Sequence, residues 1–303
     1  MTSKKISLSG ANNKKSVWTF GQIILVLVVG LFVLTCMLPF LNVFAISFSS
    51  KSALLRGDVS FWPVGFNTDA YRMIFRDASM IGSLLYTIRI TVIYTAIAMV
   101  LTILMAYPLT KKRLRGRKFF NLLALFTMYF SGGTIPIILN IKELGIMDTQ
   151  WALILPAALS TFNMIILKSF FTALPEEMEE AAIIDGATDF QVLMRVYLPL
   201  SMASLATLTL FYAVSKWNSF SDALYYITTR NLQPLQLRLY NIIKGSRAVE
   251  ITSVEGSAAS LSQSVSESIE SASILFATLP ILVVYPFVQR YFVAGVTIGA
   301  VKG

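Results

Sequence analysis

The chain has 303 residues, of which 55% are hydrophobic and 14% are charged, and its mean hydropathy is +0.68. A soluble domain carries about 25% charged residues, so this composition predicts a protein that lies largely in a lipid bilayer. The sequence holds no histidine and one cysteine, Cys36, which excludes thiolate–imidazole zinc sites, histidine-based catalysis and any disulfide within the chain. We interpret the net charge of +9 as a signal of membrane topology and not of nucleic-acid binding.

Long apolar segments predict the fold. A helix needs about 20 mostly apolar residues to cross the hydrocarbon core. Six segments predict an all-α membrane protein with six transmembrane helices: residues 21–46, 81–109, 119–141, 151–174, 198–217 and 273–288. Gly132 and Gly133 interrupt the third segment, and Pro156 interrupts the fourth. Such breaks are tolerated where neighbouring helices or a water-lined path satisfy the freed backbone groups.

Lysines and arginines near the ends of the spans predict the orientation. The N-terminal arm, residues 1–20, contains four lysines and no acid. The loop after the second span, residues 111–118, reads KKRLRGRK and also lacks an acid; it is called the basic loop below. Both segments are expected to be cytoplasmic, and an even number of spans then places both termini in the cytoplasm. The first apolar run is too long for a signal peptide and lacks a cleavage pattern, so it is expected to be retained.

Two polar stretches, residues 47–80 and 219–271, are predicted to form loops on the outer side. The second contains a serine-rich run, SVEGSAASLSQSVSESIESAS, whose composition cannot bury much of a core. Ahead of it, residues 234–243 are predicted to form a short amphipathic helix on the outer surface.

The segment between the fourth and fifth spans, residues 175–197, predicts two short helices joined by a tight turn; it is called the hairpin below. Pro175 suits the start of a helix, and the four glutamates that follow it favour the positive end of the helix dipole. Gly186 is placed to end this helix in a left-handed conformation. Thr188 and Gln191 match a capping box that begins the second helix.

The composition of the hairpin favours a surface that docks on another protein. It contains six acids against one arginine. The alternative is an ordinary solvated loop, but a simple linker would not be expected to contain two capped helices with small and apolar side chains exposed. The side chains expected to be exposed are Met178, Ala181, Ala182, Phe190, Leu193 and Met194.

Three short motifs resemble a known family. Glu180-Ala181-Ala182, Asp185-Gly186-Ala187 and Leu198-Pro199 resemble the EAA loop of ATP-binding-cassette (ABC) importer permeases. The segments FSGGTIPIILNIKELGIMDTQWALILPAAL, FYAVSKWNSFSDALYYI and YFVAGVTIGAVKG are similar to those of carbohydrate-uptake permeases of the maltose-transporter type. Within that group they are nearest to permeases for oligosaccharides and polysaccharide fragments, such as the alginate and lipo-oligosaccharide types. The resemblance covers nearly all of the chain from the first span onward.

The resemblance implies a type I importer permease in the bacterial inner membrane, with residues 21–303 as one permease domain. It implies that the hairpin is a coupling helix pair held in a cleft of a cytoplasmic ATPase. The residues implied to take part are Glu179, Glu180, Ala181, Ala182, Asp185, Gly186, Ala187, Leu198 and Pro199. It also implies that the C-terminal tail, residues 289–303, reaches toward the ATPase, although the tail could instead simply fray.

The same resemblance implies a set of partners: a second permease that forms a heterodimer with this chain, two ATPase subunits and an external solute-binding protein. Membrane lipid is a further expected partner. The sequence lacks the phosphate-binding pattern G-x-x-x-x-G-K-[ST], so ATP and Mg are expected to be used by the partner subunits. This chain is therefore expected to bind no cofactor and not to be an enzyme.

Aromatic side chains beside amides and hydroxyls suit sugars, which have apolar ring faces and many hydroxyl groups. The outer end of the fifth span offers candidates for a substrate path: Tyr212, Lys216, Trp217 and Asn218, followed by Ser219, Asp222, Tyr225 and Tyr226. The alternative is an aromatic belt at the membrane surface with a snorkelling lysine. Arg89 and Lys168 lie within spans, where an ionisable group suggests a function, but structural roles are favoured for both.

Other classes of membrane protein fit less well. Secondary transporters usually place carboxylates within the membrane, and none of the six predicted spans contains Asp or Glu. A membrane enzyme would lack acid–base candidates, and a channel would not need the hairpin. An ABC permease for a non-sugar solute is the alternative within the family. The expected mechanism is alternating access, in which closure of the ATPase pair moves the hairpin.

Overall fold

The computed structural model describes residues 20–252 and 266–286, and every regular element in these ranges is helical. The helices are α1 (Phe20–Ser47), α2 (Lys51–Arg56), α3 (Asp69–Arg76), α4 (Ala78–Thr110), α5 (Arg117–Tyr129), α6 (Thr134–Glu143), α7 (Gln150–Ile154), α8 (Thr161–Thr172), α9 (Glu176–Ile184), α10 (Asp189–Val192), α11 (Leu198–Leu200), α12 (Met202–Asn218), α13 (Ser221–Tyr226), α14 (Leu235–Thr252) and α15 (Ser266–Pro286). A π-helical turn, Leu193–Tyr197, joins α10 to α11. Most of the N-terminal arm, much of the serine-rich run and the C-terminal tail lie outside the described residues.

Three helices in the described part of the chain are long and apolar enough to cross a bilayer: α1, α4 and α15. Two bent pairs also meet the test when each pair is counted as one span, which raises the number to five. In the first pair α5 and α6 meet at 113°, and in the second Asp189–Leu200 meets α12 at 84°.

The third and fourth predicted spans are not continuous helices. The third is divided at residues 130–133, where Gly133 has a φ of +90° that a side chain would oppose. In the fourth, α7 ends at Ile154, and Pro156 has no backbone N–H to donate the next intrahelical hydrogen bond. The chain resumes as α8 after Ser160, whose side chain accepts a hydrogen bond from the Asn163 N–H at 3.3 Å.

The remaining predicted limits shift as well. The main helix of the fifth span begins at Met202 and not at Leu198. The sixth begins at Ser266 and not at Ser273, because its first turns contain serines that pack closely against other helices; Ser271 and Ser273 are both buried. Both predicted outer loops contain helices, α2 and α3 in one and α13 and α14 in the other. The helix predicted at residues 234–243 extends to Thr252.

The core forms around α4, which packs against α8 and α12. Buried residues recur along one side of α4 and include Ile90, Tyr94, Ala98 and Ala106. Helix α1, in contrast, has only Ala45 and Ser47 buried, both near its end. The apolar surface of α1 is therefore available to contact lipid or another chain.

Candidate functional site

Helix α9 ends in the turn that the sequence predicts. Gly186 has a φ of +81°. The Ala187 N–H donates to the Ala182 carbonyl at 2.9 Å, and the Gly186 N–H donates to the Ile183 carbonyl at 3.0 Å, which together form a Schellman motif. A Cβ atom at position 186 would meet nothing within 4 Å. The position therefore favours glycine for its backbone conformation and not for lack of space.

The second helix of the hairpin begins with the predicted capping box. The Thr188 hydroxyl accepts a hydrogen bond from the Gln191 N–H at 3.4 Å, and the Gln191 side chain accepts one from the Thr188 N–H at 2.8 Å. The hairpin is therefore a helix, a glycine turn and a capped helix, joined at its two ends to α8 and α12.

The outward face of the hairpin is apolar and acidic. Its exposed apolar side chains are Met178, Ile183, Ile184, Phe190 and Met194. Ile184 is 85% exposed, and the sequence analysis overlooked both isoleucines. Leu193 was expected on this face but is buried, because it turns toward the core that contains α4.

The residues implied to contact an ATPase divide into three groups. Glu180, Ala181, Asp185, Gly186 and Pro199 are exposed. Ala182, Ala187 and Leu198 are half-buried and pack against the core. The third group is Glu179, whose side chain is only 18% exposed because it points into the chain.

Glu179 is the centre of a cluster at the base of the hairpin. Its carboxylate lies 2.6 Å from the Lys111 Nζ and accepts a hydrogen bond from the Tyr197 hydroxyl at 2.6 Å. The Lys111 ammonium lies 4.2 Å from the ring centroids of both Tyr107 and Tyr197. Burial alone would raise the pKa of Glu179, but the hydrogen bonds from Lys111 and Tyr197 outweigh it and hold the pKa below its ordinary value.

Two further ion pairs connect the basic loop to the hairpin. Lys112 lies 2.7 Å from the Glu176 carboxylate, and Arg113 pairs with Asp189. Both pairs are exposed. The sequence analysis treated the basic loop only as a topology signal. It missed these contacts because they join residues more than sixty positions apart, which no local spacing reveals.

Two of the predicted substrate-path residues support the break between α7 and α8. The Tyr212 hydroxyl accepts a hydrogen bond from the Ser160 N–H at 3.1 Å and lies 2.6 Å from the Thr102 hydroxyl. Lys216 is buried, donates to the Leu153 carbonyl and lies 3.3 Å from Asp222. These side chains satisfy backbone groups that a broken helix frees, as membrane burial requires.

The Tyr94 hydroxyl also satisfies a backbone group at the break between α7 and α8, since it donates to the Ala157 carbonyl at 2.8 Å. Trp217 is also buried and donates to the Ala277 carbonyl at 3.2 Å, which connects α12 to α15. Asn218 alone of the four predicted residues is exposed. Its contact with a substrate stays a prediction, as do those of Tyr212, Lys216 and Trp217.

Arg89 and Lys168, which the sequence places within spans, each have a neutral partner. The Arg89 guanidinium donates to the Gln150 side chain at 2.8 Å, and the Lys168 ammonium donates to the Asn121 side chain. Among the described residues, no group of three acidic or cysteine side chains is arranged to hold a metal ion.

Comparison with known proteins identifies the family. Residues 98–298 match the family described as "Binding-protein-dependent transport system inner membrane component". The chain belongs to this family. The resemblance to ABC importer permeases that the motifs suggested is thereby confirmed, and so is the location in a membrane.

Relatives and a solved structure cover nearly the whole chain. The polygalacturonan/rhamnogalacturonan transport system permease protein YtcP of Bacillus subtilis is 42% identical over 273 residues, which is 90% of this chain and 95% of the relative. Protein LplC of the same organism is 44% identical over 266 residues, covering 88% and 89%. A permease chain from a bacterial ABC transporter that imports the acidic polysaccharide alginate superposes with a TM-score of 0.80, at 33% identity and with 89% and 95% of the chains covered.

Proposed function

We propose that this permease forms an oligosaccharide pathway together with a second permease, and that its hairpin couples the pathway to separate ATPase subunits. The observation that carries the proposal is the hairpin itself. Its exposed apolar and acidic face has no partner within the described chain, while its base is joined to the basic loop by three ion pairs.

The proposed topology has six spans, with the hairpin and both termini in the cytoplasm. In this arrangement α5 with α6 forms the third span, α7 with α8 the fourth, and α11 with α12 the fifth. Support comes from the basic loop, which lies at the same end of the molecule as the hairpin and contains six cations and no acid.

The proposed mechanism is alternating access. ATP and Mg would be held by the two ATPase subunits, and closure of those subunits would move the docked hairpin. The hairpin is continuous with the segments that lead to α8 and α12, and Lys111 attaches it to the end of α4. One movement would therefore reach three core helices. An external solute-binding protein would deliver the substrate.

The proposed substrate is an oligosaccharide. YtcP is named for polygalacturonan and rhamnogalacturonan transport, a permease of Mycobacterium tuberculosis that is 32% identical is named for trehalose transport, and the superposed permease comes from an importer of an acidic polysaccharide. Acidic oligosaccharides should therefore be tested before neutral ones. A non-sugar solute, or transport without an ATPase, is the alternative that the experiment must exclude.

The test uses the intact complex, purified through this chain and placed in proteoliposomes. Gly186→Val opposes a left-handed turn in the hairpin. Gly145→Val is the matched control, because Gly145 has a φ of +69° and equally open surroundings but lies between α6 and α7. Both variants introduce the same kind of backbone strain, about 1–2 kcal/mol.

We expect Gly186→Val to lower the sugar transported per ATP hydrolysed at least about tenfold, and Gly145→Val to leave that ratio near the wild-type value. Gly186→Asn should restore coupling, because asparagine tolerates the left-handed region. Normal transport by Gly186→Val, or uptake without any ATPase in the complex, would overturn the proposal.

A further inference from the structure

A recess with two cations lies beside the hairpin, between the start of α5 and the end of α8. Its volume is about 410 Å³, and it is lined by Arg117, Ile165, Lys168, Ser169, Thr172 and Ala173. The lining contains two positive charges and no acid. An unbalanced pair of like charges in a partly enclosed space favours an anion.

Both cations use only part of their hydrogen-bonding capacity within the described chain. The Arg117 Nε donates to the Leu109 carbonyl at 2.9 Å, and the Lys168 Nζ donates to the Asn121 side chain. The acceptors are neutral in both cases. A guanidinium has five N–H donors and an ammonium three, so several donors are left for a ligand.

Three other cations of the basic loop differ from this pair. Lys111, Lys112 and Arg113 each have a carboxylate partner on the hairpin. Among the described residues Arg117 and Lys168 form no ion pair, although Arg117 begins α5 only four positions after Arg113. The N-terminus of α5, whose dipole also favours an anion, opens beside the same recess.

An apolar surface continues from the recess along α5. Arg117, Asn121, Leu125 and Met128 follow one another at helical spacing and therefore share a face. Leu125 is 40% exposed and Met128 44% exposed. A cationic end followed by an exposed apolar stripe matches the two parts of a phospholipid, a charged headgroup and its acyl chains.

We propose that this recess binds the phosphate of an anionic phospholipid, whose acyl chains lie along the exposed face of α5. Basic recesses between membrane helices are suited to anionic headgroups. Free phosphate offers the same charged group, and the experiment must therefore separate the two sources. Lipid binding is measured without transport, so its failure would leave the proposed coupling function untouched.

The experiment compares two double variants of the intact complex. Arg117→Gln/Lys168→Gln removes both cations of the recess. Arg115→Gln/Lys118→Gln removes the same charge from the same region without changing either recess cation, and serves as the control. Each complex is delipidated in detergent and titrated with phosphatidylglycerol, phosphatidylcholine or inorganic phosphate, and bound lipid is counted by native mass spectrometry.

We expect the recess variant to lose at least about tenfold in affinity for phosphatidylglycerol and the control to lose less than about twofold. Phosphatidylcholine binding should be weak and equal in all three complexes. Equal losses in the two variants would show non-specific attraction to the basic loop and overturn the site. Stabilisation of the complex by inorganic phosphate to the same extent as by phosphatidylglycerol would identify a free ion and overturn the lipid assignment.

Discussion

At the hairpin end of the molecule, separate segments are joined by ion pairs between side chains, whereas at the opposite end a carboxylate binds backbone N–H groups. Asp148, in the turn between α6 and α7, accepts hydrogen bonds from the N–H groups of Thr228 and Thr229, both at 2.9 Å, and from the Thr229 hydroxyl at 2.6 Å. The Asp148 N–H in turn donates to the Tyr226 carbonyl at 2.9 Å. Asp148 itself has a positive φ of 56°.

The two kinds of junction differ in what they permit. An exposed side-chain ion pair is weak and is screened by salt, so its partners can separate and pair again. A carboxylate that holds two backbone N–H groups fixes the path of the chain. The hairpin end is therefore suited to movement about one buried pair, Lys111 and Glu179, while the opposite end is suited to a fixed frame.

The largest expected effect comes from breaking the buried pair. Lys111→Met leaves the Glu179 carboxylate without its cation and should destabilise the complex by about 3 kcal/mol, since removal of one partner strands a buried charge. Thermal unfolding of the purified complex would measure the loss. The double variant Lys111→Met/Glu179→Gln should recover most of it, because no charge is then left unpaired.

An equal loss in the single and double variants would contradict this account. It would mean that the aromatic packing of Tyr107 and Tyr197 holds the hairpin and that the charges contribute little. The comparison between the two ends would then rest on packing and not on electrostatics.

A smaller effect is expected at the opposite end. Hydrogen bonds from Thr229 and Thr228 hold the pKa of Asp148 below its ordinary value. A depressed pKa in the folded state stabilises the fold above about pH 4, and this contribution is lost as the pH falls further. Asp148→Asn should therefore lower the melting temperature at pH 7, and the difference from the wild type should shrink below about pH 4.

Hydrogen exchange provides a local measurement of the same junction. The amides of Thr228 and Thr229 should exchange faster in Asp148→Asn, while those of the hairpin should not change. A melting-temperature difference that is independent of pH would show that the ionised carboxylate is not what holds this turn.

The smallest effect is expected for Lys112→Ala. The Lys112–Glu176 pair is 77% and 70% exposed, and such pairs contribute about 0–1 kcal/mol before salt screening. We expect a change in stability below about 0.5 kcal/mol that disappears in high salt. A larger loss of stability that persists in high salt would show that residues 111–113 act as one rigid unit.

Local signals in the sequence predicted the hairpin well. The turn at Gly186 and the capping box of Thr188 and Gln191 each depend on residues within a few positions of one another. Both can therefore be predicted from the sequence. Pro156 likewise indicated a break in the fourth span. The groups that satisfy this break were not predictable, because Tyr94 and Tyr212 come from two other helices and reach it only through tertiary packing.

The start of α15 and the burial of Lys216 were also not predictable from the sequence, because both depend on tertiary packing. The first turns of α15 contain serines, which a hydropathy pattern assigns to a loop, but Ser271 and Ser273 are buried where helices approach closely. The burial of Lys216 depends on Asp222 and on the end of α7, and an isolated lysine near a span end predicts snorkelling equally well. The proposed ATPase and substrate contacts would involve other molecules, and one sequence does not show which of its surfaces such molecules cover.

The π-helical turn at Leu193–Tyr197 has a consequence for how the chain can vary. A π-helical turn contains one more residue than an α-helical turn, because its hydrogen bonds join residues i and i+5. The extra residue changes the rotation of the following helix about its axis. Tyr197, the last residue of that turn, is thereby oriented toward Glu179. Deleting one residue within the turn would rotate the following helix by about 100° and carry the tyrosine away from its partner. The number of residues between α10 and α12 is therefore as closely constrained as their chemical identity.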